Sequence, residues 1–347
     1  MIPSSQTIIT LAKRPGLAPI VPGETFKVSQ VPVPSPSSEE AKGKVLVEVH
    51  YLSLDPAMRG WLNDNRSYVP PVKLGAIMRA YGLGTVLHSN APGFSKGDLV
   101  MGGLGWQECG WMSPQFIEKL PAPTKGVQPT DWLGVLGGSG QTAYWGLMDI
   151  AQIKKGETVV VTGAAGSVGI VACQIAKKVF DCKVIAVAGS ADKCAWLEND
   201  IGVDVALNYK DKDFAKQFRE KVGYLNVMFD NVGGEILNLA LSRLQPFARV
   251  VLCGAISDYN KKPIGPSNYL ALIGQRAKMQ GFIVMDYDDR KPQAIGDLSQ
   301  WISEGKIKSK ETRLKGLENA VEGLMGLFEG KNTGKMVLEV KAAHSKL

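Results

Sequence analysis

Between Thr158 and Gly169 the chain reads TVVVTGAAGSVG. A β-branched run at 158–161 leads into Gly163, Gly166 and Gly169, and Ile170, Val171, Ile175, Ala176 and Val179 follow at helical spacing. Strand, glycine turn and helix together let backbone N–H groups at a helix N-terminus meet a pyrophosphate. Ala164 stands where the usual GxGxxG has its first glycine, and a small-residue turn of this kind also occurs in α/β domains that bind no dinucleotide. About 20 residues further on, an NAD-selective unit carries an acid for the ribose 2′-OH. Here residues 186–190 read AVAGS, with no acid at the tip and Lys193 just beyond. A small residue, the Ser190 hydroxyl and the Lys193 cation suit a 2′-phosphate, and therefore NADP. In the alternative, Asp192 takes the ribose and Lys193 is a surface residue. Asp192 is expected instead to cap the helix that begins there.

Other chemistries are poorly supplied. The only histidines are His50, His88 and His344, and Cys109, Cys173, Cys182, Cys194 and Cys253 form no CxxC pair. That argues against a histidine-rich metal site and against a disulfide framework, and for a reducing compartment. The net charge of +7 is spread along the chain. It implies no nucleic-acid partner, which would favour one basic stripe. No run approaches the ~18–20 apolar residues that cross a membrane. The N-terminal stretch has no apolar core of secretory type.

These residues need a scaffold, and 347 residues suggest roughly two domains of about 150. Residues 1 to about 130 are rich in Pro, Gly and short strand-like runs (44–52, 81–88, 98–103), as in a mainly antiparallel barrel. A polar, turn-prone stretch at 124–131 marks a boundary, and GGSGQ at 137–141 opens a helix over 142–150. Strands are then expected at 158–161, 183–188, 205–209, 226–230, 249–254 and 281–285. Helices are expected between them, near 167–180, 191–201, 212–221, 234–244 and 267–277, with another over 289–305. Such alternation implies a parallel sheet covered by helices on both faces. The tail, 308–340, reads strand, helix, strand and is expected to return to the first domain. The division is 1–130 with 308–347, and 131–307.

Several longer segments carry a family resemblance: LSLDPAMRG (52–60), NDNRSY (63–68), GQTAYWGL (140–147), GAAGSVG (163–169), FDNVGGE (229–235), CGAISDYN (253–260), MQGFIVMDY (279–287) and GLENAVEGLMGLFEGKNTGK (316–335). With them the chain resembles the zinc-independent medium-chain dehydrogenase/reductases. The likeness is to the group with prostaglandin reductases, plant double-bond reductases and curcumin reductase. The resemblance implies an α/β protein with a GroES-like β-barrel catalytic domain, a doubly wound Rossmann domain, and NADPH/NADP in the cleft between them. Gly166, Ser167, Val168 and Gly169 would then meet the pyrophosphate. Ser190 and Lys193 would sit at the 2′-phosphate with Tyr209 beside it. Asn231, Cys253, Gly254, Ala255, Ile256, Ser257, Tyr259, Phe282 and Asn332 would line the remainder. Two positions depart from many relatives: Ala57 and Gly274 stand where those carry tyrosine. The zinc ligands of other branches are missing too, since residues 53–56 read SLDP and residues 79–82 read RAYG.

The implied reaction is reduction of a carbon–carbon double bond conjugated to a carbonyl, in an enone or alkenal. Hydride goes to the β-carbon, an enolate-like intermediate forms, and a proton goes to the α-carbon. A donor aimed at the carbonyl oxygen lowers that barrier. Tyr259 and Tyr68 are the candidates, since a phenol's ordinary pKa of about 10 keeps it protonated at neutral pH. A quinone reductase and a non-catalytic NADPH-binding protein are the alternatives. A homodimer paired through the edge strand at 281–285 is expected from the resemblance. The chain ends in Ser345, Lys346 and Leu347, an SKL that peroxisomal import receptors read. A peroxisomal location is expected in a eukaryotic host, and a cytoplasmic one otherwise.

Overall fold

A computed structural model describes residues 2–122 and 124–340. Ser345, Lys346 and Leu347, the expected targeting signal, lie outside the described residues.

The N-terminal part is built from strands β1 (Ser5–Leu11), β2 (Phe26–Pro32), β3 (Val45–Leu54), β4 (Tyr81–Ser89), β5 (Leu99–Gly103), β6 (Cys109–Met112) and β7 (Ile117–Lys119). Strands β8 (Thr158–Thr162), β9 (Lys183–Ala188), β10 (Val205–Asn208), β11 (Leu225–Asp230), β12 (Leu244–Leu252) and β13 (Lys278–Gly281) form the second part. β14 (Glu311–Lys315) and β15 (Lys335–Glu339) follow.

Six strands make a parallel sheet in the order β10-β9-β8-β11-β12-β13. Their sequences explain why both faces are covered. Val159 and Val161 pack with Val184, Ala186 and Phe229 on one face. Val160 packs with Ile185, Val187 and Met228 on the other. Side chains alternate across a strand, so a continuous apolar run buries one set against each helical layer. The strand order reverses direction between β8 and β11, the switch point at which open α/β sheets bind ligands.

The other main sheet runs β14-β15-β3-β4-β5-β7, with β6 also on β3. β15 pairs antiparallel with β3, Met336 opposite Leu54, so the C-terminal segment is hydrogen-bonded into the sheet of the N-terminal part. Its core gathers Ile9, Leu11, Phe26, Trp106 and the inward residues of β3. No helix among the described residues is long and apolar enough to cross a membrane.

Two local expectations fail. The last strand of the parallel sheet is Lys278–Gly281, not 281–285, and 3-10 turns occupy Val284–Arg290. Among the described residues its only ladder neighbour is β12, which ends at Leu252 opposite Gly281; just beyond, the Gly254 N–H folds back onto the Asp230 carbonyl that Cys253 already bonds. Without a ladder partner the chain beyond Gly281 cannot remain a strand. The helix Ala191–Trp196 is capped by Ser190, not by Asp192. The Ser190 Oγ accepts the Lys193 N–H at 3.3 Å. Asp192 lies one residue inside the helix, past the extended position a cap requires.

Candidate active site

The glycine turn is shaped by close approach. Gly163 has φ +57°, and a Cβ on Gly169 would lie 2.3 Å from the Gly163 carbonyl oxygen. Only glycine lets the helix Ser167–Gln174 start this near the turn. The N–H groups of Ser167, Val168 and Gly169 occupy its first turn, where a helix provides no acceptors of its own. From the residue just before β15, the Gly334 N–H donates to the Ala165 carbonyl at 2.7 Å. Asn332 lies beside this contact, its Nδ2 donating to the Gly334 carbonyl at 2.7 Å.

The end of β9 gathers the next cluster. A Cβ on Gly189 would strike the Tyr209 ring at 2.9 Å, so this glycine lets Tyr209 lie across the strand end. Lys210 sits over the same ring, 5.9 Å from its centroid. Burial lowers the Lys193 pKa, and the Lys210 charge lowers it further. Two cations near one another beside a free serine proton form a site complementary to a phosphate. In this structure the Lys193 ammonium donates to the Gly330 carbonyl at 2.7 Å. Gly330 closes the helix Ala320–Glu329, whose C-terminal dipole end favours a cation. Lys210 escaped the sequence reasoning, although it adjoins Tyr209.

At the switch point Asp230 is fully buried. Its carboxylate accepts the Thr162 hydroxyl at 2.6 Å and the Gly233 N–H at 3.0 Å. Burial pushes its pKa up and these hydrogen bonds oppose that shift. Asn231 is held alongside, its Nδ2 donating to the Thr162 carbonyl at 2.7 Å. Cys253 follows β12, and burial pushes its thiol up to about 12, so it is a neutral filler. Gly254, Ala255, Ile256 and Ser257 continue as the loop facing this point. The Ile256 and Ser257 N–H groups bond the carbonyls of Asn231 and Val232. Phe282 packs against the parallel-sheet core, its ring tip 3.0 Å from where a Cβ on Gly146 would stand.

Tyr259 ends that loop. Its hydroxyl oxygen accepts the Ala255 N–H at 3.2 Å, which leaves its own proton available. Burial raises its pKa, and Tyr68 lies near enough to raise it further. Tyr68 is half exposed and accepts a 3.4 Å contact from the Trp61 indole N–H. The two candidate donors thus come from different domains, Tyr68 from the N-terminal part and Tyr259 from the parallel-sheet part.

Sequence reasoning also missed a buried polar cluster beneath the cleft. Lys335, 2% exposed, ion-pairs with Asp55, which also accepts the Ser53 hydroxyl. Arg59 was missed as well, although it lies in the LDPAMR motif. Among the described residues no group of His, Cys, Asp or Glu is arranged to hold a metal ion.

Comparison with known proteins agrees with this architecture. The family described as "N-terminal domain of oxidoreductase" matches residues 8–120, and "Zinc-binding dehydrogenase" matches residues 167–303. The NADPH-dependent curcumin reductase of Escherichia coli (strain K12) is 39% identical over 338 residues, 95% of each chain. The chain belongs to the medium-chain dehydrogenase/reductases, in the group of prostaglandin, alkenal and curcumin reductases. Within this group, the NADP(+)-dependent 2-alkenal reductase of Nicotiana tabacum is 38% identical over 87% of this chain and 88% of its own. Among solved reductases of the group, CurA of Vibrio vulnificus in complex with NADPH superposes with a TM-score of 0.89 at 38% identity. That match covers 97% of this chain and all of CurA.

Proposed function

We propose that this protein reduces the carbon–carbon double bond of α,β-unsaturated carbonyl compounds, enones and alkenals. The cofactor is NADPH, as in its close relatives. When bound, NADPH supplies the hydride for the β-carbon. The N–H groups of Ser167, Val168 and Gly169 hold the pyrophosphate, and Ser190, Lys193 and Lys210 hold the 2′-phosphate. Asn231, the loop 253–259, Phe282 and Asn332 line the remainder. The catalytic part comprises residues 1–130 and 308–347, and the cofactor part residues 131–307.

The observation that carries this reading is the Tyr259 hydroxyl. It is half-buried, it accepts a backbone N–H, and it keeps a proton to donate. Directed at the substrate carbonyl oxygen, that donor stabilises the negative charge that grows as the β-carbon is reduced. Tyr68 is the second donor. A proton from a tyrosine hydroxyl or from water reaches the α-carbon and leaves the saturated carbonyl product. Two copies pair through the free edge of β13, where Tyr269, Leu270 and Ile273 are exposed nearby.

The test is an NADPH oxidation screen across alkenals, cyclic enones, aryl enones, enoyl thioesters and benzoquinones. Turnover with enones or alkenals and formation of the saturated product support the proposal. Turnover with benzoquinone alone, or tight NADPH binding with no turnover, overturns it. Light scattering that finds a monomer at micromolar concentration overturns the dimer.

A further inference from the structure

Arg59 is 1% exposed. Its Nη2 donates to the carbonyls of Gly16 (2.9 Å) and Ala18 (2.6 Å), in the loop between β1 and β2. Its Nε donates to Asn260 Oδ1 at 2.7 Å, and its Nη1 has no partner among the described residues. Burial lowers its pKa, and among the described residues no carboxylate pairs with it to offset that cost. A cation held at this depth without a counter-charge is expensive, and its planar fork joins three separate segments of chain.

One of those segments carries Tyr259. The loop after β12 contains a single 3-10 turn, Ile256–Asp258, too short to hold a conformation by itself. Its first half is held to the segment after β11 by the Ile256 and Ser257 N–H groups, while around Tyr259 the supports are the Asp258 N–H on the Ala255 carbonyl, the Ala255 N–H on the Tyr259 hydroxyl and the contacts of Lys261 with Asp258. The Arg59–Asn260 bond ties the loop to the opposite domain, from the residue next to Tyr259.

We infer that Arg59 and Asn260 form a cross-domain tether that positions the Tyr259 hydroxyl, making both of them positioning residues for the reduction. The inference rests on the enone-reductase reading above for its kinetic consequence, but not for its structural one. The planar guanidinium supplies the geometry, and the Asn260 carbonyl oxygen supplies the acceptor. The loop also lines the cofactor, but its bonds to Asn231 and Val232 do not involve Asn260, so the tether is expected to govern turnover more than NADPH affinity.

The experiment uses the full chain with Asn260→Ala, Asn260→Asp and Tyr259→Phe, and Asn260→Ala combined with Tyr259→Phe. Replacing Asn260 leaves the Arg59 bonds to Gly16 and Ala18 intact and so avoids a folding defect. Asn260→Ala is expected to lower kcat for an enone about tenfold, because a misplaced donor loses rate steeply. NADPH affinity, measured by fluorescence titration, should stay within about twofold. Asn260→Asp keeps an acceptor for Arg59 and should retain at least about half of the wild-type kcat. The combined variant should be no slower than Tyr259→Phe alone, since both changes remove one function. An unchanged kcat in Asn260→Ala, or losses that multiply in the combined variant, would overturn the tether.

Hydrogen exchange of peptides spanning 253–262 in the NADPH complex provides a readout independent of turnover. Protection should be lost in Asn260→Ala and kept in Asn260→Asp, and equal protection in both would overturn the inference. Should the wild-type protein reduce no enone, the functional proposal fails while exchange still decides the tether.

Discussion

The cofactor end and the tyrosine end of the cleft are assembled in different ways. At the first, Gly163, Gly166 and Gly169 lie within one turn, and Ser190 caps the helix that carries Lys193. Each piece is made by residues only a few positions apart. At the second, Arg59 and Asn260 meet across 201 residues of sequence, and Tyr68 and Tyr259 belong to different domains. The first end depends on backbone geometry that few side chains tolerate. The second depends on the docking of two domains. The first should therefore fail steeply under one steric change, and the second by degrees.

The largest effect is expected from Gly169→Val. Its Cβ would meet the Gly163 carbonyl at 2.3 Å, so the turn must move. NADPH affinity should fall at least ~100-fold, about 2.7 kcal/mol, in a fluorescence titration. Affinity within threefold of wild type would break the comparison, since the cofactor end would then tolerate what its geometry forbids.

At the other end, replacing Tyr259 and Tyr68 by Phe should lower turnover at least about tenfold, or ~1.4 kcal/mol in the barrier. NADPH affinity should be nearly unchanged. Normal turnover in both single variants and in the double variant would remove the tyrosines from the chemistry.

Lys193→Ala should reduce the preference for NADPH over NADH by roughly fivefold, because its ammonium is partly exposed and shared with the Gly330 carbonyl. Equal weakening of both cofactors would show that Lys193 acts through the Gly330 contact and not on the phosphate.

The smallest effect concerns stability alone. Glu157 and Arg249 form a mostly buried pair at 2.7 Å, at the end of the sheet away from the cleft. Despite burial, which acts in the opposite sense, Arg249 and the Lys154 N–H hold the Glu157 carboxyl below its ordinary range. A carboxyl lowered in the folded state adds stability above its unfolded pKa of about 4.3, and that stability is lost as pH falls through the folded value. Glu157→Gln should therefore reduce the fall in Tm between pH 7 and pH 3.5 by roughly 1–3 °C. NADPH affinity at pH 7 should not move. A variant that loses as much Tm as wild type over that range would mean the pair adds no pH-dependent stability.

The chain's own sequence determined the parallel sheet, because runs such as TVVVT and KVIAVA can bury both alternating faces only between two helical layers. It also determined the phosphate end, since spacing of glycines is a local requirement of the backbone. Even there a local choice went astray. Ser190 and Asp192 both have capping side chains, and only the observed start of the helix selects Ser190. The edge strand was misplaced for a related reason: where β13 stops is decided by where β12 stops. Tertiary structure alone decided the pairing of Lys335 with Asp55, the capture of Lys193 by Gly330, and the tie from Arg59 to Asn260. A hydrogen bond between distant segments imposes no spacing on either of them, so its partners become visible only when the two domains are packed together.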